Sequence, residues 1–124
     1  MKYLSMDVGT RRTGLAFFDA ATAIVLPLDT LTHQSPEELA QQVLAITQAR
    51  AIDLIVLGLP LLPSGAEGSQ VAFVRSCAGL LTEGGAQVAF QDERYTTQRQ
   101  SDTDGDARAA CELLRTFLEA RKEL

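Results

Sequence analysis

Apolar and turn-forming positions alternate in the first part of the chain in a way that predicts three β-strands. Residues 3–7 and 14–19 are mostly apolar or aromatic and flank the turn-like sequence 9–12, which is typical of a β-hairpin. The next apolar run, residues 23–28, contains Pro27, and because proline has no N–H group for a sheet hydrogen bond, an edge strand is favoured. Three antiparallel strands are therefore expected first.

Amphipathic segments separate two further apolar runs in the rest of the chain. Ser35 precedes a proline at the first helical position and a glutamate three residues after the cap, so a helix is predicted from there to about Arg50. The run 53–58 is continuously apolar after its first residue, as in a strand covered on both faces. The remaining elements are predicted as a helix over 71–81 that ends at the glycines 84–85, a strand over 87–91 and a helix from about Asp102 onward.

The predicted order of elements is βββαβαβα, which favours an α/β fold. Three antiparallel strands followed by two parallel strands give one mixed five-stranded sheet with helices on both faces. The chain has 124 residues, 46% hydrophobic and 22% charged, so we expect a single domain over residues 1–124. The apolar run 54–62 is far shorter than the roughly 20 residues of a membrane helix, and the amino terminus lacks a signal-peptide pattern. A cytoplasmic protein without a membrane partner is expected.

Charge and the rarer side chains exclude several kinds of function. A net charge of −5 argues against a positively charged coat around the whole protein, so any binding of nucleic acid must be local. Cys77 and Cys111 lie in apolar helical patterns without metal-binding spacing and are expected to be reduced core residues. His33 is the only histidine, which removes Ser-His-Asp and Cys-His hydrolase schemes unless this residue serves them. Its place just before a helix cap predicts a position at the surface.

Carboxylates lie at three places where the predicted elements begin or end. Asp7 stands in the first strand, where a buried acid is costly unless it is paired or bound to a cation, although it could also cap the turn that follows. Asp92 and Glu93 come directly after the fifth strand, at the edge of a parallel sheet where ligands are expected. Charged residues in that place are also typical of plain solvated surface.

An acidic cluster marks the start of the last helix: Asp102, Asp104 and Asp106. The helix dipole stabilises acids there and explains one of them, but it does not readily explain three. Asp106 precedes Ala110 and Phe117 at helical spacing, which directs it towards the buried face beside the sheet. Carboxylates from two strand ends and one helix can converge on one or two Mg²⁺ or Mn²⁺ ions, which support phosphodiester hydrolysis without His or Cys.

Four short motifs are spread over nearly the whole chain. They are residues 6–14 (MDVGTRRTG); residues 56–60 (VLGLP) with Gly65, Glu67, Gly68 and Gln70; residues 92–97 (DERYTT); and Asp106 followed by Ala109, Ala110, Leu113 and Leu114. In this order they resemble the YqgF/RuvX family of RNase H-like nucleases, which are described as Holliday junction resolvases and as nucleases that process the 5′ end of pre-16S rRNA. The resemblance implies an RNase H-like fold and an endonuclease that depends on Mg²⁺ or Mn²⁺.

The resemblance also implies which residues form the site. Three acids would be the catalytic metal ligands: Asp7, Glu93 and Asp106. Three further residues would surround the active cleft and contact substrate: Arg12, Arg94 and Thr97. Arg11 and Arg99 would add positive charge beside the acids, which reconciles the net charge of −5 with a polyanionic substrate; unrelated surface arginines are the alternative.

The segment before the last acid departs from the family pattern. Relatives have a longer stretch with a basic segment there, whereas this chain has only residues 98–105 between the threonine pair and Asp106. The substrate contact expected from a basic segment is therefore weakened. Asp102 or Asp104 stays open as an alternative to Asp106, although the apolar spacing that follows favours Asp106, and Asp102 and Asp106 would share a face of a longer helix.

Functions of three different kinds are compatible with these residues. The first is an endonuclease in which a metal-activated water attacks phosphorus, in precursor ribosomal RNA or in branched DNA; two symmetric cuts in a junction would require a homodimer. The second is an inactive nucleic-acid or protein-binding module on the same fold. The third is a single-lobe relative of actin-like ATPases or sugar kinases, which residues 7–10 also resemble. Length argues against it, because those enzymes close two lobes of about 100 to 150 residues each around ATP.

Overall fold

A computed structural model describes residues 1–60, 64–65, 67–93 and 103–124 of the chain. Its elements are, in chain order, β1 (Lys2–Val8), β2 (Arg12–Asp19), β3 (Ile24–Thr32), α1 (Pro36–Arg50), β4 (Leu54–Leu59), α2 (Ser69–Glu83), β5 (Val88–Asp92) and α3 (Thr103–Ala120). The predicted order of strands and helices is confirmed. Among the described residues, no helix is both long and apolar enough to cross a membrane.

The five strands form one mixed sheet in the order β3-β2-β1-β4-β5. β1 pairs antiparallel with β2 and parallel with β4, while β2 pairs antiparallel with β3 and β4 pairs parallel with β5. β3 is an edge strand, as Pro27 predicts, and β1 is buried from Tyr3 to Val8. The predicted arrangement of the strands is confirmed, and it puts the strand that carries Asp7 in the middle of the sheet.

Side chains alternate between the two faces of the sheet, and each face has its own hydrophobic core. In β1, Leu4 and Met6 belong to the core beneath α1 and α2, whereas Tyr3 belongs to the core beneath α3. Because successive side chains of a strand point to opposite faces, Ser5 and Asp7 lie with Tyr3 on the α3 face. The first acid of the predicted site is therefore directed towards α3.

Local signals in the sequence set the ends of α1 and α2. The Ser35 hydroxyl accepts a hydrogen bond from the Glu38 backbone N–H (3.1 Å), and the Glu38 carboxylate accepts one from the Gln34 N–H (3.2 Å). These two bonds satisfy N–H groups at the start of the helix. α2 ends at Glu83, and Gly85 then adopts φ 97°, a left-handed conformation that glycine tolerates best.

Both cysteines are free core residues, as predicted. Cys77 packs in the core beneath α1 and α2, and Cys111 packs in the core beneath α3. Burial raises the pKa of the Cys77 thiol to about 11. Since the thiolate is the reactive form, we expect this thiol to be unreactive at neutral pH.

His33 lies in the interior, so the predicted surface position is wrong. Strand β3 continues beyond its predicted end to Thr32, which pairs with Arg12 of β2. His33 is consequently only 2% exposed; its Nε2 lies 2.7 Å from the Thr13 hydroxyl, and its ring packs against that of Phe73 with the centroids 5.8 Å apart. Burial lowers the pKa of His33, which favours the neutral imidazole.

The buried His33 predicts that the folded protein loses stability in mild acid. Its folded-state pKa lies below the ordinary 6.5, and the nearby Glu38 opposes this shift only in part. The unfolded chain therefore takes up the proton first, and the free energy of unfolding falls as the pH drops from neutral through that ordinary value. Urea unfolding at about pH 7.5 and about pH 5.5 should show a larger loss for the wild type than for His33→Gln. An equal loss in both proteins would contradict this prediction.

Candidate active site

Asp7 lies near the end of the central strand, 5% exposed, between two glycines of the neighbouring strands. It pairs with Gly14 across the antiparallel ladder of β1 and β2. The parallel register of β1 and β4, in which Met6 pairs with Leu57, puts Gly58 beside Asp7 on the other side. Since neither glycine has a side chain, the sheet offers space on both sides of the Asp7 carboxylate on the α3 face.

The first turn of α3 fills the space above Gly14. A Cβ atom at this glycine would overlap the backbone carbonyl oxygen of Asp106 and would lie close to the backbone nitrogen of Ala107. The helix backbone therefore rests directly on β2, next to the position of Asp7 in the sheet. Glycine is required there, because any side chain would push the start of α3 away from the sheet.

Glu93 reaches the same face from the end of β5. Its backbone N–H donates a hydrogen bond to the Leu59 carbonyl (3.0 Å), which continues the pairing of β4 with β5. A Cβ atom at Gly58 would overlap the Glu93 carboxylate, and Val56, two residues before this glycine, packs in the core beneath α3. The Glu93 carboxylate, in a residue that is 8% exposed, therefore lies over β4 on the α3 face beside Asp7.

Asp106 is the third acid on this face, and an ion pair holds it. Nη2 of Arg12 lies 3.2 Å from Oδ2 of Asp106, and the two side chains are 39% and 16% exposed. The pair joins the start of β2 to the first turn of α3. It leaves Arg12 at the rim of the site, where a guanidinium group can meet a phosphate.

A buried serine ties α3 to the central strand, and the sequence analysis did not single it out. The Ser5 hydroxyl donates a hydrogen bond to the Ala110 carbonyl (2.7 Å), and Ser5 is fully buried. Ala110 lies about one helical turn after Asp106, so this bond fixes α3 against β1 close to the site. The one signal in the sequence was a polar residue between two apolar ones, two positions before Asp7.

The turn that carries the two arginines is held by backbone hydrogen bonds. The Gly9 N–H donates to the Arg12 carbonyl (2.9 Å), and the His33 N–H donates to the Arg11 carbonyl (3.0 Å). A Cβ atom at Gly9 would overlap the Arg12 carbonyl oxygen, so the turn closes tightly at this glycine. His33, which lacks a place in the predicted chemistry, thus contributes to the position of the arginines.

The predicted site residues fall into two groups. Four of them lie on the α3 face: Asp7, Glu93, Asp106 and Arg12. A fifth, Arg11, is exposed in the turn next to Arg12. The others lie outside the described residues: Arg94, Thr97, Arg99 and the alternative acid Asp102. The side chain of Asp104 also lies outside the description. Asp92 is exposed, so Glu93 is the buried acid of the charged triplet. The roles of these residues in binding metal and substrate stay a prediction.

The acids of the site offer hard oxygen donors, which Mg²⁺ and Mn²⁺ prefer. Asp7 and Glu93 are both buried, and the Glu93 carboxylate occupies the space that Gly58 leaves beside Asp7. Within the described residues, no group of three His, Cys, Asp or Glu side chains is placed to hold a metal ion, and Asp106 is paired with Arg12. Asp7 and Glu93 offer oxygen donors of the kind that a divalent cation takes, and Asp106 would join them only by exchanging Arg12 for the ion.

The sequence matches a known family over almost its whole length. The family described as "RuvX: Holliday junction resolvase" matches residues 1–120. The chain belongs to the RuvX family. The predicted membership is thus confirmed.

Relatives within the RuvX family carry the name "Putative pre-16S rRNA nuclease". One from Chloroflexus aurantiacus is 37% identical over 95 residues, which are 76% of this chain and 62% of the relative. The chain thus matches less than two thirds of that relative's length. Another from an Anaeromyxobacter species is 30% identical over 135 aligned positions, with 98% of each chain covered.

Solved structures share the fold of this RuvX-family chain. T. thermophilus RuvC in complex with a Holliday junction substrate has a TM-score of 0.62 at 15% identity, with 98% of this chain and 96% of that chain covered. The fowlpox virus Holliday junction resolvase has a TM-score of 0.61 at 10% identity, with 97% and 99% covered. At these identities the likeness concerns the fold alone, and it confirms the predicted RNase H-like class.

Proposed function

We propose that this RuvX-family chain, acting as a single domain over residues 1–124, is a divalent-metal-dependent endonuclease that hydrolyses phosphodiester bonds in nucleic acid. The observation that carries the proposal is the placement of Asp7, Glu93 and Asp106 around two glycines on one face of the sheet. Asp7 and Glu93 are buried carboxylates on the same face, and carboxylate oxygens are the donors that Mg²⁺ and Mn²⁺ prefer. We assign these acids the role of catalytic ligands for one or two Mg²⁺ or Mn²⁺ ions.

The chain's own residues prepare the site for this chemistry. A bound divalent ion supplies a Lewis acid for phosphoryl oxygens and lowers the pKa of a water molecule. Asp7 and Glu93 would hold it from the sheet, and their burial would strengthen the attraction because bulk water is excluded. Asp106 would hold it from α3. Arg12 at the rim of the site would then be able to donate hydrogen bonds to the scissile phosphate.

Two nucleic acids are candidates for the substrate. The names of the relatives favour precursor 16S ribosomal RNA, and the description of the family favours a Holliday junction. We prefer the RNA, cut at the 5′ end of pre-16S rRNA, because a relative that matches 98% of this chain carries the rRNA name. Both substrates present the same phosphodiester to the acids, and both would place the enzyme in the cytoplasm. A junction substrate would in addition require a homodimer, since two symmetric cuts need two sites.

Cleavage assays with two labelled substrates test the proposal. One substrate is an RNA that spans the 5′ end of 16S rRNA and its leader, and the other is a four-way DNA junction, each incubated with Mn²⁺ or with EDTA. We expect cleavage of the RNA that requires the metal. Cleavage of the junction alone would assign branched DNA as the substrate. Binding without cleavage of either nucleic acid would contradict the endonuclease and support an inactive binding module.

A further inference from the structure

A groove runs along α3 on the side that faces the edge strand β3. Its volume is about 330 Å³, and it is lined by Val25, Pro27, Ala107, Arg108, Cys111 and Arg115. The two arginines are exposed, whereas the other side chains give the groove an apolar floor. This combination of a nonpolar floor and a positively charged rim is called the arginine groove below.

Among the described residues, no acid forms an ion pair with either groove arginine. Within the described part of the chain, the guanidinium groups of Arg108 and Arg115 make no ion pair and no hydrogen bond, whereas Arg75 and Arg121 each pair with a glutamate. Glu112 lies between the two on α3, and among the described residues it forms no ion pair with either. Both guanidinium groups are exposed and can therefore contact a negatively charged ligand.

The spacing of the arginines suits the backbone of one nucleic-acid strand. Arg108 and Arg115 are two helical turns apart on α3, which is about 10 Å along the helix axis. A strand carries one phosphate about every 3.4 Å along its axis, so the two side chains can reach phosphates about three nucleotides apart. Guanidinium groups donate paired hydrogen bonds to phosphate, and the floor formed by Val25 and Pro27 can contact sugars and base faces.

The arginine groove begins beside the candidate active site. Ala107 lines the groove and directly follows Asp106, whose backbone carbonyl lies on Gly14 next to Asp7. A strand whose phosphate lies at the acids would therefore continue along α3 between the two arginines.

We propose that the arginine groove binds the sugar–phosphate backbone of the substrate strand on one side of the scissile phosphate. This inference rests on the proposed function, because the groove serves a strand that is cut at the acids. It also gives the chain a positively charged contact from α3, in place of the one that the short segment 98–105 lacks relative to the family pattern.

Binding of a fluorescein-labelled single-stranded RNA tests the groove. The RNA is about 20 nucleotides long, which exceeds common single-strand site sizes, and anisotropy is measured in EDTA at several salt concentrations. We expect Arg108→Gln and Arg115→Gln each to weaken binding about fivefold. In the double variant, the slope of log Kd against log salt concentration should fall by about 1.4, which a merely structural role would not produce. The matched control is Arg50→Gln, which removes the same charge from α1 on the opposite face.

The outcomes of this experiment distinguish failure of the groove proposal from failure of the proposed function. Unchanged affinity and an unchanged salt slope in a double variant that melts like the wild type would overturn the groove. An equal loss in Arg50→Gln would overturn it as well, because net charge alone would then explain the loss. If the wild type cleaves nucleic acid and the double variant binds and cleaves equally well, the endonuclease proposal is supported. The proposal that the arginine groove binds the substrate strand is then refuted. If the wild type neither binds nor cleaves RNA or junction DNA, the proposed function fails with it.

Discussion

Asp7→Asn is expected to abolish metal-dependent cleavage, with a loss on the order of a thousandfold or more. Asparagine has nearly the same shape as aspartate, so the variant should keep its place between Gly14 and Gly58 and should fold. Its neutral amide lacks the negative charge with which a carboxylate attracts a divalent cation. Initial cleavage rates at saturating Mn²⁺ measure the effect on whichever substrate the wild type cuts.

Asp29→Asn is the matched control for the loss of Asp7. Asp29 is exposed on β3 and lines a pocket with Arg50, on the α1 side of the sheet. Its replacement removes the same charge without touching the acids, so full activity is expected. An Asp7→Asn protein that keeps more than about a tenth of the wild-type rate would show that Asp7 is not a catalytic ligand.

Gly14→Ala is expected to lower the free energy of unfolding by about 3 kcal/mol. The added methyl group would overlap the backbone carbonyl of Asp106, and a helix backbone cannot turn aside as the end of a flexible side chain can. The start of α3 would have to move away from β2. Cleavage should fall at the same time, because Asp106 and its partner Arg12 would be displaced from Asp7. Urea unfolding measures the first effect, and the cleavage rate measures the second.

Gly79→Ala is the control for an added methyl group. Gly79 lies inside α2, and a Cβ atom there would meet nothing within 4 Å. Alanine at this position should therefore raise the free energy of unfolding by about 0.5 to 1 kcal/mol, since it restricts the unfolded chain and favours the helix. If Gly14→Ala matched the wild type in stability and in cleavage, the contact between Gly14 and α3 would be refuted.

The order of strands and helices could be predicted because each element carries a local signal. The turn at 9–12, the cap at Ser35 and the apolar run of β4 need no knowledge of their neighbours in space. The length of β3 could not be predicted in the same way. Residues 29–32 are polar except for Leu31, so they lack the apolar alternation of a strand, and it is pairing with β2 that extends the strand through them. That extension also carries His33 into the interior.

The candidate acids are identified from their places at the ends of elements and from the family resemblance, but their arrangement in space depends on contacts between distant segments. The local charge pattern does not distinguish Asp92 from Glu93, and only the family resemblance singles out Glu93. In the structure the Glu93 carboxylate lies over Gly58 and Asp92 is exposed. From sequence alone, a glycine in a strand indicates only a less stable strand or a β-bulge. The need for Gly14 and Gly58 becomes visible once α3 and the Glu93 carboxylate occupy the space above them.

Asp7, Glu93 and Asp106 are proposed to share a divalent cation on the α3 face. Thermal unfolding of the wild type and of Asp7→Asn with increasing Mn²⁺ tests it most directly. An ion that binds only the folded protein adds about 2.7 kcal/mol of stability at 100 times its Kd, which corresponds to a rise of about 10 °C in Tm for a domain of this size. We predict such a rise for the wild type and only the nonspecific effect of the salt for Asp7→Asn. The same response in both proteins, or no response in the wild type, would contradict the claim.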